Sequence, residues 1–400
     1  MKFKKLLAAL LAVMMVASMA ACGTSTASSA PAETGSEAPA ATEAPAAEET
    51  TEAPAAEAGS TAEAASAKEE TPKAESIECD PLTIDFSTIF NETETGGQII
   101  KHFEEYISNL TGGAITMNIF WGGTLFSDAE ALDGVNSGAV NMTALGHMPH
   151  LATLNYLAFP GFAPGGPQAA LDYFDTLMFD DPETSALIQQ EAADNGIIYL
   201  NVLAGGANAF CTTYEFTDLD SMISGSKSFG NMDAAIFEKL GFQVTSVGPG
   251  DCYDALQRGL IDSTQMGLAP MVSMGWQEVA SYWALDGTYT AGNMFTANLD
   301  WWNSLTDAQR QAIQQACDEV EEYSAGIYDD SIATDCATIE EKTGNKMVEL
   351  SDADIDRIWA ATFDAKADAA MATAEANGKG EGMTKILEKA AEITGYDWKH

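Results

Sequence analysis

The pattern most readily read as chemistry is His147-Met148-Pro149-His150, two imidazoles three residues apart. The spacing is shorter than the i, i+4 pair that presents two ligands on one helix face, and Pro149 breaks a helix. No cysteine cluster supports a metal reading, so this stretch is expected to be a loop at a strand end. No Gly-x-Ser-x-Gly elbow, P-loop or dinucleotide fingerprint stands between a strand and a helix. His102, His147, His150 and His400 could serve as bases, yet none has an evident nucleophile partner. Binding is therefore favoured over catalysis, with no cofactor and no metal. Cys79, Cys211, Cys252, Cys317 and Cys336 form no pair with zinc-ligand spacing. Cys317 and Cys336 fall on one helical stretch, about 28 Å apart at 1.5 Å per residue, too far to bridge. Cys211 with Cys252 is a pairing that the sequence leaves open beside the plainer reading of free buried thiols.

The sixth cysteine, Cys22, is of another kind. Lys2, Lys4 and Lys5 precede an apolar stretch, which ends in Ser18-Met19-Ala20-Ala21-Cys22-Gly23. A basic start, a short apolar core and small residues at a cleavage point describe an export signal over residues 1–21. The apolar run is short for roughly 30 Å of hydrocarbon. A Cys directly after small residues resembles the lipobox of bacterial lipoproteins. That resemblance implies that Cys22 becomes the lipidated first residue, on the outer face of the cytoplasmic membrane.

Residues 22–76 are built almost wholly from Ala, Glu, Pro, Thr, Ser and Gly, with near-copies of Glu-Ala-Pro-Ala and no aromatic residue. Such a segment buries too little surface to offset its chain entropy, so it is expected to be disordered. Fifty such residues reach on the order of 40 Å as a flexible chain. A long acidic spacer suits a domain held clear of lipid within a thick wall, as in a Gram-positive host. The formal net charge of -42 argues against nucleic acid and anionic lipid as partners. Removing signal and tether leaves about 320 residues (77–400), which suits two lobes rather than one small core.

The elements that must position any site follow from periodicity. Leu82–Phe86 reads as a strand. Ile99, Ile100, Phe103, Tyr106, Ile107 and Leu110 share a helical face within 97–110. Strand 114–120, helix 128–137 capped by Ser127, and strand 138–143 complete a β-α-β-α-β rhythm, which predicts an α/β unit with a largely parallel sheet. Residues 167–195 read as helices and 196–203 as a strand. Helices at 233–240 and 251–259 alternate with strands at 243–246 and 261–265. From Ser304 the chain is helical for a long way, with Thr306 and Gln309 forming a capping box. Two more helices are expected at 354–375 and 383–392.

Four segments resemble the solute-binding receptors of tripartite ATP-independent periplasmic (TRAP) transporters, of the dicarboxylate-receptor (DctP) type. The first comprises Ile119-Phe-Trp-Gly-Gly-Thr-Leu125, Glu130-Ala-Leu-Asp-Gly-Val135 and Gly138-Ala-Val-Asn-Met142. The second is Asp218-Leu219 followed by Gly225-Ser-Lys227. The third is Tyr253-Asp-Ala-Leu-Gln-Arg-Gly-Leu-Ile-Asp262. The fourth is Trp276-Gln-Glu-Val-Ala-Ser-Tyr282, then Trp302-Asn-Ser-Leu305. The resemblance implies a two-lobed periplasmic-binding-protein-like α/β fold with crossing strands and one long bridging helix. Lobe 1 would hold about 80–205 plus 290–330, and lobe 2 about 206–289 plus 331–400. It also implies lobe closure on a small solute, and delivery to a TRAP permease driven by an ion gradient. An alternative is a sensing lipoprotein on the same fold that feeds a membrane sensor.

The departures from the family pattern fall at the cleft. The family's carboxylate-gripping Arg, suited to its task by the guanidinium fork, is replaced by Phe229. A second Arg would fall within Gly206-Ala-Asn208-Ala-Phe210, which has none. The family's Asn falls at Met266, beside Gln265, and a frequent aromatic falls at Pro249. The folded part has only Arg258, Arg310 and Arg357. A carboxylate closed into a dry cleft without a charged partner would carry an uncompensated desolvation cost. A neutral or amine solute is therefore favoured over a carboxylate, with Lys227 as the one substitute anchor considered. The ligand-contact candidates are Phe229, Asn208, His147, Gln265, Met266, Phe90 and Asp251. Trp121, Tyr253 and Trp276 are further aromatic candidates, with core packing the favoured reading of Tyr253 and Trp276, and Asp128 is a further acid. The opposing reading of Phe229 is that it packs in a core.

Overall fold

The computed structural model describes residues 76–146, 153–396 and 398. The first helical face reads as its sequence dictates. β1 (Leu82–Ser87), α1 (Thr95–Leu110) and β2 (Ile115–Phe120) form a β-α-β unit in which β1 and β2 pair in parallel. Ile99, Ile100, Phe103 and Ile107 of α1 are fully buried, at helical spacing. α2 (Asp128–Asn136) follows, and Glu130 accepts from the Ser127 backbone N–H at 3.1 Å and its hydroxyl at 2.7 Å. β3 (Met142–Gly146) starts later than the predicted 138–143 strand, because Gly138 at φ 74 turns the chain first.

The chain continues through β4 (Phe162–Pro164), α3 (Pro167–Asp175), a π turn (Thr176–Asp180), α4 (Thr184–Asp194) and β5 (Ile197–Tyr199). Next come β6 (Leu203–Thr212), α5 (Leu219–Gly225), β7 (Phe229–Gly230), α6 (Ala234–Leu240) and β8 (Val244–Thr245). α7 (Pro249–Gln257), β9 (Ser263–Gly267), α8 (Leu268–Ser273), β10 (Tyr282–Asn298) and α9 (Leu299–Ser304) precede three long helices. These are α10 (Asp307–Thr343), α11 (Asp352–Ala376) and α12 (Gly380–Thr394).

The strands form one sheet in the order β2-β1-β3-β10-β6-β9-β7-β8. It is parallel only at its two ends: β2-β1-β3 at one, β9-β7-β8 at the other. Between them, β10 runs antiparallel to β3 through Asn293–Ala297 and to β6 through Tyr282–Leu285. β6 and β10 are thus the crossing strands. Their outer portions enter different cores. Ala204, Ala291 and Met294 pack with Leu157, Phe174 and Tyr199, whereas Ala209, Cys211 and Trp283 pack with Leu256, Met271 and Trp276.

α10 is the long bridge, about 55 Å at 1.5 Å per residue over its 37 residues. Thr306 Oγ1 accepts from the Gln309 N–H at 3.2 Å, while Gln309 Oε1 accepts from the Thr306 N–H at 3.0 Å. Gly344, at φ 72, stops the helix. The tail, expected to belong to the second lobe within 331–400, packs in two cores. Trp359, Phe363 and Ala367 of α11, with Met383, Ile386 and Leu387 of α12, belong to the same core as α3 and α4. The opposite face of α11, through Ile358 and Ala361, joins the core around Phe229. An amphipathic helix wedged between two cores needs apolar residues on two faces, which its sequence supplies.

The described residues form one compact unit. The predicted signal, Cys22 and the tether lie outside the described residues. Among the described residues no helix is long and apolar enough to cross a membrane. Cys79, Cys211, Cys252, Cys317 and Cys336 are all free thiols.

Candidate functional site

A cavity of about 240 Å³ lies where β6 and β10 pass from one core to the other. One water needs only about 10–15 Å³ on this measure, so the cavity is on the scale of a small solute. Its floor depends on a break in β10. The β6–β10 register shifts between Leu285 and Tyr289, leaving Asp286-Gly287-Thr288 as a bulge. Gly287 sits at φ 78, where a side chain is strained. Bulges re-aim side chains, and this one brings Asp286 and Thr288 to the cavity.

Asp286 is 1 % exposed. Its Oδ1 accepts from the Thr288 backbone N–H and the Thr288 hydroxyl, each at 2.7 Å. Its Oδ2 accepts from Gln265 Nε2 at 2.6 Å. Asn208 Nδ2 donates to Thr288 Oγ1 at 3.0 Å, which fixes that hydroxyl as the donor to Asp286. Asn231 Nδ2 in turn donates to the Gln265 carbonyl at 2.8 Å. Every donor to Asp286 is neutral, and no described lysine or arginine pairs with it. Burial pushes its carboxyl above the ordinary 3.8, against the hydrogen bonds from Gln265 and Thr288, which pull it down.

The remaining walls are mixed. Asp233 stands just before α6 and pairs with Lys366 of α11 at 2.9 Å, both at the cavity edge. Phe162, Phe237, Met266 and Ile358 provide apolar surface, and Trp276 adds an indole that is 1 % exposed. The Trp276 Nε1–H is buried and has no hydrogen-bond partner. Such a donor costs free energy until something accepts from it.

Of the expected contact residues, Asn208, Gln265 and Met266 come together at this cavity, joined by Trp276 and Pro249. Phe229 does not. It is fully buried, its ring 4.5 Å from that of Phe237 and 4.4 Å from that of Phe242, and it is outside the lining set. Its neighbours Gly230 and Asn231 border the cavity instead. The physical reason is packing: an aromatic ring is best accommodated among Phe210, Phe237 and Phe242. Phe90 is also elsewhere, its ring laid over Gly96 at the start of α1. Asp251 is exposed on the first turn of α7, outside the lining set. Lys227 is exposed, with its backbone N–H held by Asp262 at 2.8 Å. Trp121, Tyr253 and Asp128 are likewise outside the lining set. His147 and His150 lie outside the described residues. No group of three or more His, Cys, Asp and Glu among the described residues could hold a metal ion.

The residues that sequence reasoning missed are Asp286, Thr288 and Lys366. Asp286 carried a signal: Asp-Gly inside the apolar run Trp283–Tyr289 marks a break in a strand.

The family model for bacterial extracellular solute-binding protein family 7, DctP, matches residues 86–372. The chain belongs to this family. It is a solute-binding receptor, not an enzyme. The C4-dicarboxylate-binding periplasmic protein DctP of Rhodobacter capsulatus is 25% identical over 255 residues, spanning 62% of this chain and 74% of its own. A TRAP periplasmic solute-binding protein of Ochrobactrum anthropi superposes with a TM-score of 0.66 at 22% identity, covering 79% of this chain and 97% of its own. Another from Roseobacter denitrificans, solved with bound β-D-glucuronate, gives 0.59 at 20% identity over 79% of this chain and 100% of its own. The DctP-family fold accounts for the crossing strands and the bridging helix described above.

Proposed function

We propose that this DctP-family receptor captures a small neutral or amine solute outside the cytoplasm and delivers it to a TRAP-type, ion-coupled permease. The observation that carries the solute preference is the charge arrangement of the cavity. Its one described cation, Lys366, is matched by Asp233, and its deepest ionisable group is the acid Asp286. Arg258, Arg310 and Arg357 are absent from the lining. The Roseobacter relative was solved with an acid, glucuronate, so the preference argued for this chain is a divergence within the family.

The basic, apolar and small-residue order of 1–22 supports secretion and lipidation at Cys22. On this reading the receptor is tethered by 22–76 to the outer face of the cytoplasmic membrane of a Gram-positive cell. Solute capture shifts the two lobes toward a closed state that the permease recognises. The test is a thermal-shift screen of the full chain against organic acids, amines and neutral polyols. A ligand at a hundred times its dissociation constant adds about 2.7 kcal/mol of stability. Stabilisation by amines or polyols is expected. Stabilisation by acids alone would reverse the preference and leave the receptor assignment standing.

A further inference from the structure

Resting on the reading of this cavity as the solute site, we propose that Asp286 selects the solute, and that the solute is a small organic ammonium ion carrying an oxygen acceptor, such as an amino alcohol. Three observations converge. An ionised carboxylate offers about four lone-pair positions, and Thr288 and Gln265 fill three of those on Asp286. One position on Oδ2 is left, on a residue that lines the cavity. The negative charge beside it has no described cationic partner, because Lys366 is taken up by Asp233. A buried charge held only by neutral donors is costly, and a cation entering the cavity removes that cost.

The second observation is the wall. Trp276, Phe237 and Phe162 border the same cavity, and aromatic faces stabilise an ammonium that a carboxylate also holds. The third is the unpartnered, buried Nε1–H of Trp276. A hydroxyl or carbonyl oxygen on the solute would accept from it. Donor to Asp286 and acceptor for Trp276 together describe an amine with an oxygen on the same small skeleton. Gln265, Thr288 and Asn208 are positioning residues: they hold the Asp286 carboxylate in one orientation through the relay from Asn208 to Thr288 to Asp286.

The test is calorimetric titration of the full chain with probes matched by skeleton. These are the amino alcohols ethanolamine and serinol, the polyols ethylene glycol and glycerol, and the acids glycolate and glycerate. A charge-assisted hydrogen bond in place of a neutral one predicts that each amino alcohol binds at least about tenfold tighter than its polyol. In Asp286→Asn that preference should fall to within about threefold, and in Asp286→Glu it should persist in part. A melting curve reports whether the Asn variant is folded. If it is not, the wild-type ranking of the matched probes decides the matter. Polyols or acids binding the wild type more tightly than amines would overturn the ammonium assignment and leave the receptor reading intact. A tenfold amine preference retained in Asp286→Asn would overturn the role of Asp286. Absence of binding by all three classes would overturn the inference together with the reading of this cavity on which it rests.

Discussion

Gly287 to Ala is the substitution that most sharply tests how the cavity is built. Gly287 adopts φ 78, so any side chain there enters the left-handed region, at about 1–2 kcal/mol. A Cβ at this position would also stand 2.5, 2.8 and 3.0 Å from Cγ2, Cγ1 and Cδ1 of Ile355. Ile355 is β-branched and stiff at χ1, so it cannot simply swing aside. Overpacking of this kind costs about 1–3 kcal/mol. Together the two effects amount to about 2–5 kcal/mol. With unfolding entropy near 2.1 cal/mol/K per residue, a folded unit of this size loses about 1.5 °C per kcal/mol, giving a drop of about 3–8 °C. Gly378→Ala is the control. Its φ is 71, but a Cβ there would meet nothing within 4 Å, so only the backbone strain applies, about 1.5–3 °C. Scanning calorimetry of both variants separates the terms. Solute affinity should fall in the Gly287 variant alone, because the bulge aims Asp286. Equal shifts in the two variants would refute the packing of α11 against the bulge. Unchanged solute affinity in Gly287→Ala would refute the bulge as what positions the carboxylate.

Other consequences follow from single residues. Phe229→Ala should cost about 3–5 kcal/mol in chemical denaturation, with the ranking of solute classes unchanged, since Phe229 is core; a changed ranking would return it to the cleft. Asp286 has its carboxyl pushed above 3.8 by burial, so the folded state binds the proton more readily than the unfolded one. Its contribution to stability is complete below 3.8 and is lost as pH rises through the raised value. Asp286→Asn without solute should therefore gain stability relative to wild type as pH rises from 3.8 through the raised value, then level off. A melting-temperature difference that does not vary over that window would contradict the assignment. Cys22→Ala should move the protein from the membrane fraction to the soluble fraction on cell fractionation; retention in the membrane would sink the lipid-anchor reading.

How much of this was legible depended on whether an element faces water on one side. α1 and α10 announced themselves, the first by its apolar spacing and the second by the capping box of Thr306 and Gln309. β6 did not, because all but one of its residues are buried and a strand covered on both faces shows no alternation. Leu203-Ala-Gly-Gly-Ala-Asn-Ala-Phe-Cys-Thr212 is also poor in β-branched residues. β10 was hidden by the same burial and by its own bulge. The crossing strands could be anticipated only from the family resemblance. In the candidate site, Asn208, Gln265 and Met266 fall at the cavity because the motifs around them fix the register. Of the two readings of Phe229, the core one matches its packing: a position in a two-residue strand can face either way, and Phe210, Phe237 and Phe242, distant in sequence, surround its ring. Lys366 reaches the cavity from a C-terminal helix whose two apolar faces do not say which distant elements they will pack against.

The central claim is that solute is held where β6 and β10 cross, against Asp286. Hydrogen–deuterium exchange of the full chain, with and without a stabilising solute from the screen, tests it most directly. The account predicts added protection concentrated in 230–237, 264–267 and 286–289, the segments that border the cavity. Protection confined to 82–146, or spread evenly over the folded unit with none of these segments standing out, would contradict it.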